Sequence, residues 1–265
     1  MQWLSCSSPS GGFNPYDAAW QKSRDFPSDK EKEWEGKPLS RDFWWMWRNS
    51  LRSGLKDMQA AIRAVSGRFE LEQWQADVIK GAWARHKELI SSSLRNQSDV
   101  VMPFLAERIN MDGRMKESHL EIRQAADGLD VQMKSLKASR SKEFLQGIQN
   151  SFGEYQNKVL RYLEDDENTN LPLMHAYFTP AEARKVVQKL LNLMSPAEMG
   201  SLIFYTGEES WFEFMAEESG LSCFSWICSL KSKRDDFEIN YVQPLAFVTR
   251  GVPLASTSFI QCSLW

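Results

Sequence analysis

Histidines, cysteines and clustered carboxylates are the residues best able to hold metals or move protons, and this chain uses the first two sparingly. It has three histidines, His86, His119 and His175, and four cysteines, Cys6, Cys223, Cys228 and Cys262. No two cysteines form a C-x-x-C pair, and the step from Cys223 to Cys228 is a poor zinc spacing without a second pair. The run Glu164-Asp-Asp-Glu167 is rich in oxygen ligands. The ordinary reading of such a run is a solvated helix end, because an oxygen-only cation site needs more converging groups. A histidine on an apolar face, as His119 is, is more often a hydrogen-bonded core residue than a ligand. There is no Gly-rich phosphate loop, Ser-His-Asp order or nucleophile elbow, so hydrolase and nucleotide chemistry have no residues to stand on.

The chain is 265 residues long, 42% hydrophobic and 25% charged, which fits a folded chain of one or two domains rather than wholesale disorder. A net charge of -3 and a pI near 5.8 argue against nucleic-acid binding. No stretch approaches the roughly 20 apolar residues of a membrane helix, so no membrane association is expected. The start lacks a basic region followed by an apolar run, and the cysteines read as thiols of a reduced compartment. The expected location is cytoplasmic or nuclear.

Three regions follow from the patterning. Residues 1–39 read as an irregular arm with apolar anchors at Trp20 and Trp34. Residues 40–220 carry helical periodicity, and 221–265 form a divergent tail without it. In the middle region Leu51, Leu55, Met58, Ile62 and Val65 share one helical face, with Ser40 as the expected N-cap and Gly67 as a left-handed stop. A second helix is expected from Glu70 to Val101, ended by Pro103. A third repeats Met115, Ile122, Leu129 and Leu136, and a fourth starts near Ser141 and carries Phe144, Ile148, Phe152, Tyr155, Val159 and Tyr162. Four amphipathic helices with short connections predict an all-α, up-down four-helix bundle.

Two matching starts, Thr179-Pro-Ala-Glu182 and Ser195-Pro-Ala-Glu198, each offer a capping hydroxyl, a first-turn proline and a glutamate able to reach back to the cap amide. They predict short helices across one end of the bundle. A third such helix, from Thr206-Gly-Glu-Glu209, is expected to bury Trp211, Phe212 and Phe214. The cluster Trp44-Trp45-Met46-Trp47 reads as core and arm packing, with a partner surface as the other reading. In the tail, Phe237-Glu-Ile-Asn-Tyr-Val242 alternates like a strand with no evident partner.

The stretch Leu163-Glu-Asp-Asp-Glu-Asn-Thr-Asn-Leu-Pro172, followed by His175-Ala-Tyr-Phe-Thr-Pro-Ala-Glu182, resembles the end of the fourth helix in hemerythrin-like (HHE cation-binding) domains. It is most similar to the repeats of plant iron-sensing ubiquitin ligases. Ser93-Leu-Arg-Asn-Gln-Ser-Asp-Val-Val-Met-Pro-Phe104 is similar to the family segment that carries a His-x-x-x-Glu pair before a proline. Trp47-Arg-Asn-Ser-Leu-Arg-Ser-Gly-Leu55 is similar to the first-helix segment, and Ser118-His119 to the third. The resemblance spans about residues 40–215.

That family holds two irons between its helices, using inward imidazoles and carboxylates, and the resemblance implies where the ligands would stand here. Arg48, Ser93, Gln97 and Tyr162 occupy former ligand positions, while His119 and Asp166 are retained and Glu167 is a substitute. Too few ligands remain for a di-iron centre, and a fixed guanidinium would repel a metal in the same cavity. His86 lies two turns before Ser93 and so belongs to a different layer. Arg48 is expected to take the place of the metal charge, with Asp166 compensating it and Gln97 and Tyr162 supplying neutral hydrogen bonds. The expectation is a non-enzymatic interaction or regulatory module with an unidentified protein partner and no cofactor. The alternative is a metal-responsive protein in which His119, Asp166 and Glu167 hold a single iron or other cation.

Overall fold

A computed structural model describes residue 34 and residues 42–67, 71–109, 113–138, 141–216 and 229–252. The regular structure of these residues is helical throughout, and no strand occurs among them.

Helix α1 spans Phe43–Ser66. Its cap is Asp42, whose Oδ1 accepts from the amides of Trp44 at 2.7 Å and Trp45 at 3.2 Å. A carboxylate this close to two open amides is also favoured by the helix dipole. The expected cap, Ser40, lies outside the described residues. Gly67 does close the helix, but with φ of -82° rather than in the left-handed region. Helix α2 spans Gln73–Asn96 and runs into a π-helical turn, Gln97–Val101, and then α3, Met102–Ala106. Pro103 therefore does not end the helix as expected. The wider π turn, in which the Met102 amide reaches back to the Gln97 carbonyl, precedes the proline, and Pro103 falls in the first turn of α3, where a missing N–H is harmless.

Helix α4 spans Arg114–Lys134, and α5 spans Lys142–Tyr177, capped by Ser141. Proline again fails to stop the chain, since Pro172 lies inside α5 and His175 is still helical. Helices α1, α2, α4 and α5 pack in a closed cycle, each against two of the others. Helices α6 (Pro180–Leu193) and α7 (Pro196–Thr206) start at the two Pro-Ala-Glu segments, capped by Thr179 and Ser195. Helix α8, Glu208–Phe214, buries Trp211 and Phe214, whereas Phe212 stays 38% exposed because it faces away from them on a helix of two turns.

The tail departs most from expectation. Residues 231–250 are helical: α9 (Lys231–Phe237), a π turn (Glu238–Val242) and α10 (Gln243–Arg250), which ends at Gly251 with φ of +72°. The strand-like alternation at 237–242 is a coincidence of spacing. Phe237, Tyr241, Leu245 and Val248 recur at four- and three-residue steps and bury one stripe against α1, α2 and α7. This part of the tail is continuous with the main core, and the remainder lies outside the described residues.

Two apolar clusters result. The larger joins α1, α2, α4 and α5 to the tail, and the second joins the start of α1, the π turn of α2, the end of α5 and helices α6–α8. The tryptophan cluster belongs to the second, with Trp44, Met46 and Trp47 buried and Trp45 partly so. Trp34 joins it, donating from Nε1 to the Phe178 carbonyl at 3.0 Å and stacking on His175 at 4.1 Å. Trp20, the other expected anchor, lies outside the described residues.

Candidate functional site

A polar layer lies where the two apolar clusters meet. On α1 the clusters are separated by Arg48, on α2 by Gln97, and on α5 by Asp166 and Asn170. All four side chains are buried. Arg48 donates from Nε to Asp166 Oδ2 at 2.7 Å and from Nη2 to the same oxygen. Its Nη1 donates to the Trp44 carbonyl at 2.9 Å. The other carboxylate oxygen, Oδ1, accepts from Gln97 Nε2 at 3.1 Å and Asn170 Nδ2 at 2.6 Å. Burial weakens the charge on Arg48, but Asp166 and then Glu167 more than compensate, so its pKa stays above the usual arginine value.

The arrangement of Arg48, Gln97 and Asp166 agrees with the sequence reading; the role of Tyr162 does not. The second neutral donor to Asp166 is Asn170, one helical turn beyond it, a spacing the sequence offered in plain view. Tyr162 instead sets its ring edge-on to His119, with centroids 5.0 Å apart. Ser93 is buried on α2.

His119 bonds through Nδ1 to Ser98 Oγ at 3.0 Å, while that hydroxyl donates to the Leu94 carbonyl at 2.9 Å. Ser98 must therefore accept, which puts the imidazole proton on Nδ1 and leaves Nε2 as a bare lone pair. Nε2 is buried and has no hydrogen-bond partner among the described residues. Burial, with Arg123 nearby, lowers the His119 pKa to about 4. Glu167 turns away from this layer and forms a two-pronged pair with Arg52, at 2.6 and 2.5 Å. The three residues expected to share a cation are thus not brought together, and no cluster of three or more His, Cys, Asp or Glu able to hold a metal occurs among the described residues. A cavity of about 320 Å³ opens between α4 and α5, with Tyr162, Asp166 and Asn170 along its wall.

Two further polar centres escaped the sequence reading. His86, in its own layer as expected, has Nε2 3.0 Å from the Tyr155 hydroxyl and Nδ1 3.4 Å from that of Tyr241, which donates to the Gly54 carbonyl at 2.8 Å. Tyr241 comes from the tail, so no local pattern around His86 reveals this partner. Burial lowers the His86 pKa to about 4.

The second centre is Glu198. In the matching segment, Glu182 completes a capping box with the Thr179 amide at 2.8 Å and pairs with Arg108, which holds its carboxyl down at about 2. Glu198 forms no such box: the Ser195 amide donates to Ser92 Oγ at 3.3 Å, and its pull on the nearby carboxylate is weaker than those of Ser92 and Trp47. Glu198 turns into the core, where Oε1 accepts from Trp47 Nε1 at 2.8 Å, and Oε2 accepts from Ser92 Oγ at 2.6 Å and Asn96 Nδ2 at 2.9 Å. The shared Pro-Ala-Glu spelling hides this difference, which neighbouring helices impose.

No helix among the described residues is long and apolar enough to cross a membrane. Compared with family models, curated proteins and solved structures, the chain matches none of them.

Proposed function

We propose that this chain is a hemerythrin-like, up-down four-helix bundle whose metal centre has been replaced by an ion pair, and that it serves as a non-enzymatic interaction module. The observation that carries the reading is the Arg48–Asp166 pair with its Gln97 donor, three positions where the resemblance places metal ligands, completed by Asn170 as a second donor. The guanidinium neutralises Asp166, as a bound cation would, and the two amides saturate the other oxygen. These residues do not fit a di-iron group: one former ligand is a permanent cation, and the carboxylates of Asp166 and Glu167 are already taken by Arg48 and Arg52. The up-down reading is supported by where the polar layer meets each helix. It lies near the start of α1 and toward the end of α2 and α5, and His119, bonded to Ser98 next to Gln97, lies near the start of α4, as alternating directions require.

The alternative, one cation held by a reduced set, has the bare Nε2 of His119 in its favour. Metal content after anaerobic refolding with ferrous iron, together with an optical spectrum after air exposure, separates the two. A folded protein that retains no iron supports the ion-pair reading. About one iron per chain, lost in His119→Ala, replaces it with the alternative, and two irons with charge-transfer bands overturn both.

A further inference from the structure

Glu198 is the third residue of α7, a helix that packs on α1, α2, α8 and α9. Its side chain is 1% exposed, and its carboxylate joins three helices through Trp47 of α1 and Ser92 and Asn96 of α2. The seam is tight on its other side as well. A methyl group added at Gly200 would lie 2.4 Å from the Lys233 carbonyl and 2.8 Å from Phe237 Cβ, so α7 transmits any shift directly to α9.

Among the described residues no cation pairs with this carboxylate. On α1, Arg48 is turned to Asp166. On α2, Arg95 is exposed. On α9, Arg234 is engaged by Asp235, Glu238 and Glu208 of α8, and Lys233 meets α7 through its backbone. The other carboxylate on the seam is Asp57 of α1, which accepts from Tyr205 at 2.6 Å at the far end of α7. A buried carboxylate without a counter-ion is expensive, and hydrogen bonds from neutral donors offset only part of that cost.

The contact with Ser92 suits both protonation states. A hydroxyl can donate or accept, so at 2.6 Å the proton can sit on Ser92 Oγ facing an ionised Glu198, or on Oε2 facing Ser92. Trp47 and Asn96 keep donating in either case. The neutral acid therefore retains the three contacts without the buried charge. We propose that Glu198 is a proton-operated latch: the neutral acid closes the seam of α7 against α1 and α2, and the ionised form loosens it, together with the α9 segment packed behind. Burial raises the Glu198 pKa to about 7, against the opposing pull of its hydrogen-bond donors, which sets the latch near neutrality.

The test is urea unfolding of the full chain and of Glu198→Gln from pH 4 to 9, with Asp57→Asn as a control for the second carboxylate. A folded-state pKa above the unfolded value means that the stabilisation is complete at low pH and is lost as pH rises through about 7. The ratio of wild-type to variant unfolding constants is expected to rise about tenfold per pH unit between the unfolded value and 7, then level off. The histidine titrations cancel in this ratio. Amide exchange in α7 and α9, corrected for its intrinsic pH dependence, should accelerate over the same range in wild type only. If the variant does not fold, infrared spectra of Asp57→Asn, which lacks the second buried carboxyl, decide instead: the carbonyl band of a buried carboxylic acid should persist at pH 6 and vanish by pH 9. A pH-independent ratio, or the absence of that band at pH 6, overturns the latch.

Discussion

Arg48 and Asp166 stand 118 positions apart in the chain, yet they form a buried ion pair whose side chains are 3% and 4% exposed. They join α1 to α5 at the level where the two apolar clusters meet. Removing either partner therefore exposes the other to a low-dielectric site, which is the costly way to break such a pair. Arg48→Met should lose about 3–5 kcal/mol in urea unfolding, as should Asp166→Ala, and the double variant should lose far less than their sum. Additive losses would mean that the pair is not coupled.

Asn170 predicts a smaller effect. Its amide completes the set around Asp166 Oδ1 at 2.6 Å, so Asn170→Leu should cost about 1–3 kcal/mol by leaving a charged acceptor short of a donor. Tyr162→Phe, which removes a hydroxyl that does not bond Asp166, should cost less than Asn170→Leu. Chemical denaturation of the two variants side by side checks the order.

The buried histidines fix the acid limb of the stability curve. His86 and His119 have folded-state pKa values lowered to about 4, below the unfolded value of 6.5. The unfolded chain then binds more protons between those values, so stability is present above pH 6.5 and falls as the pH drops toward 4. His86→Phe removes one of the two contributions, and its stability should depend less steeply on pH across that window.

The tail supplies a prediction that the sequence reading would not have made. Tyr241 donates to the Gly54 carbonyl and faces His86 Nδ1. Tyr241→Phe should cost about 1–2 kcal/mol, since it removes the second donor to the Gly54 carbonyl and leaves His86 Nδ1 without its hydroxyl neighbour. Leu245→Ala should cost about 2–5 kcal/mol through the lost burial and the cavity left behind. Equal stability of Leu245→Ala and wild type would detach the tail from the core.

How far the sequence reaches is visible in the pair Glu182 and Glu198. Both were legible as N3 residues of helices opened by a capping hydroxyl and a proline, and both helices start there. Only Glu182 completes a capping box; Glu198, though still near its cap amide, becomes a buried acceptor between three helices. Pro103 and Pro172 make the same point, because a local rule predicts helix ends that tertiary packing overrides through a π turn in one case and a continuous α5 in the other.

By itself, the sequence determined the all-helical class, the stripes that form the core and the helix starts at Thr179 and Ser195, while the Arg48–Asp166–Gln97 grouping came from the family resemblance. The first three depend on side-chain periodicity and local capping chemistry, which are written in neighbouring residues. Tertiary structure alone decided that Asn170 rather than Tyr162 completes the polar layer, that Glu167 leaves it for Arg52, and that Tyr241 reaches His86 across 155 positions. Each of these is a choice among partners of similar chemistry, and the choice falls to whichever group the packing of distant helices brings within hydrogen-bonding distance.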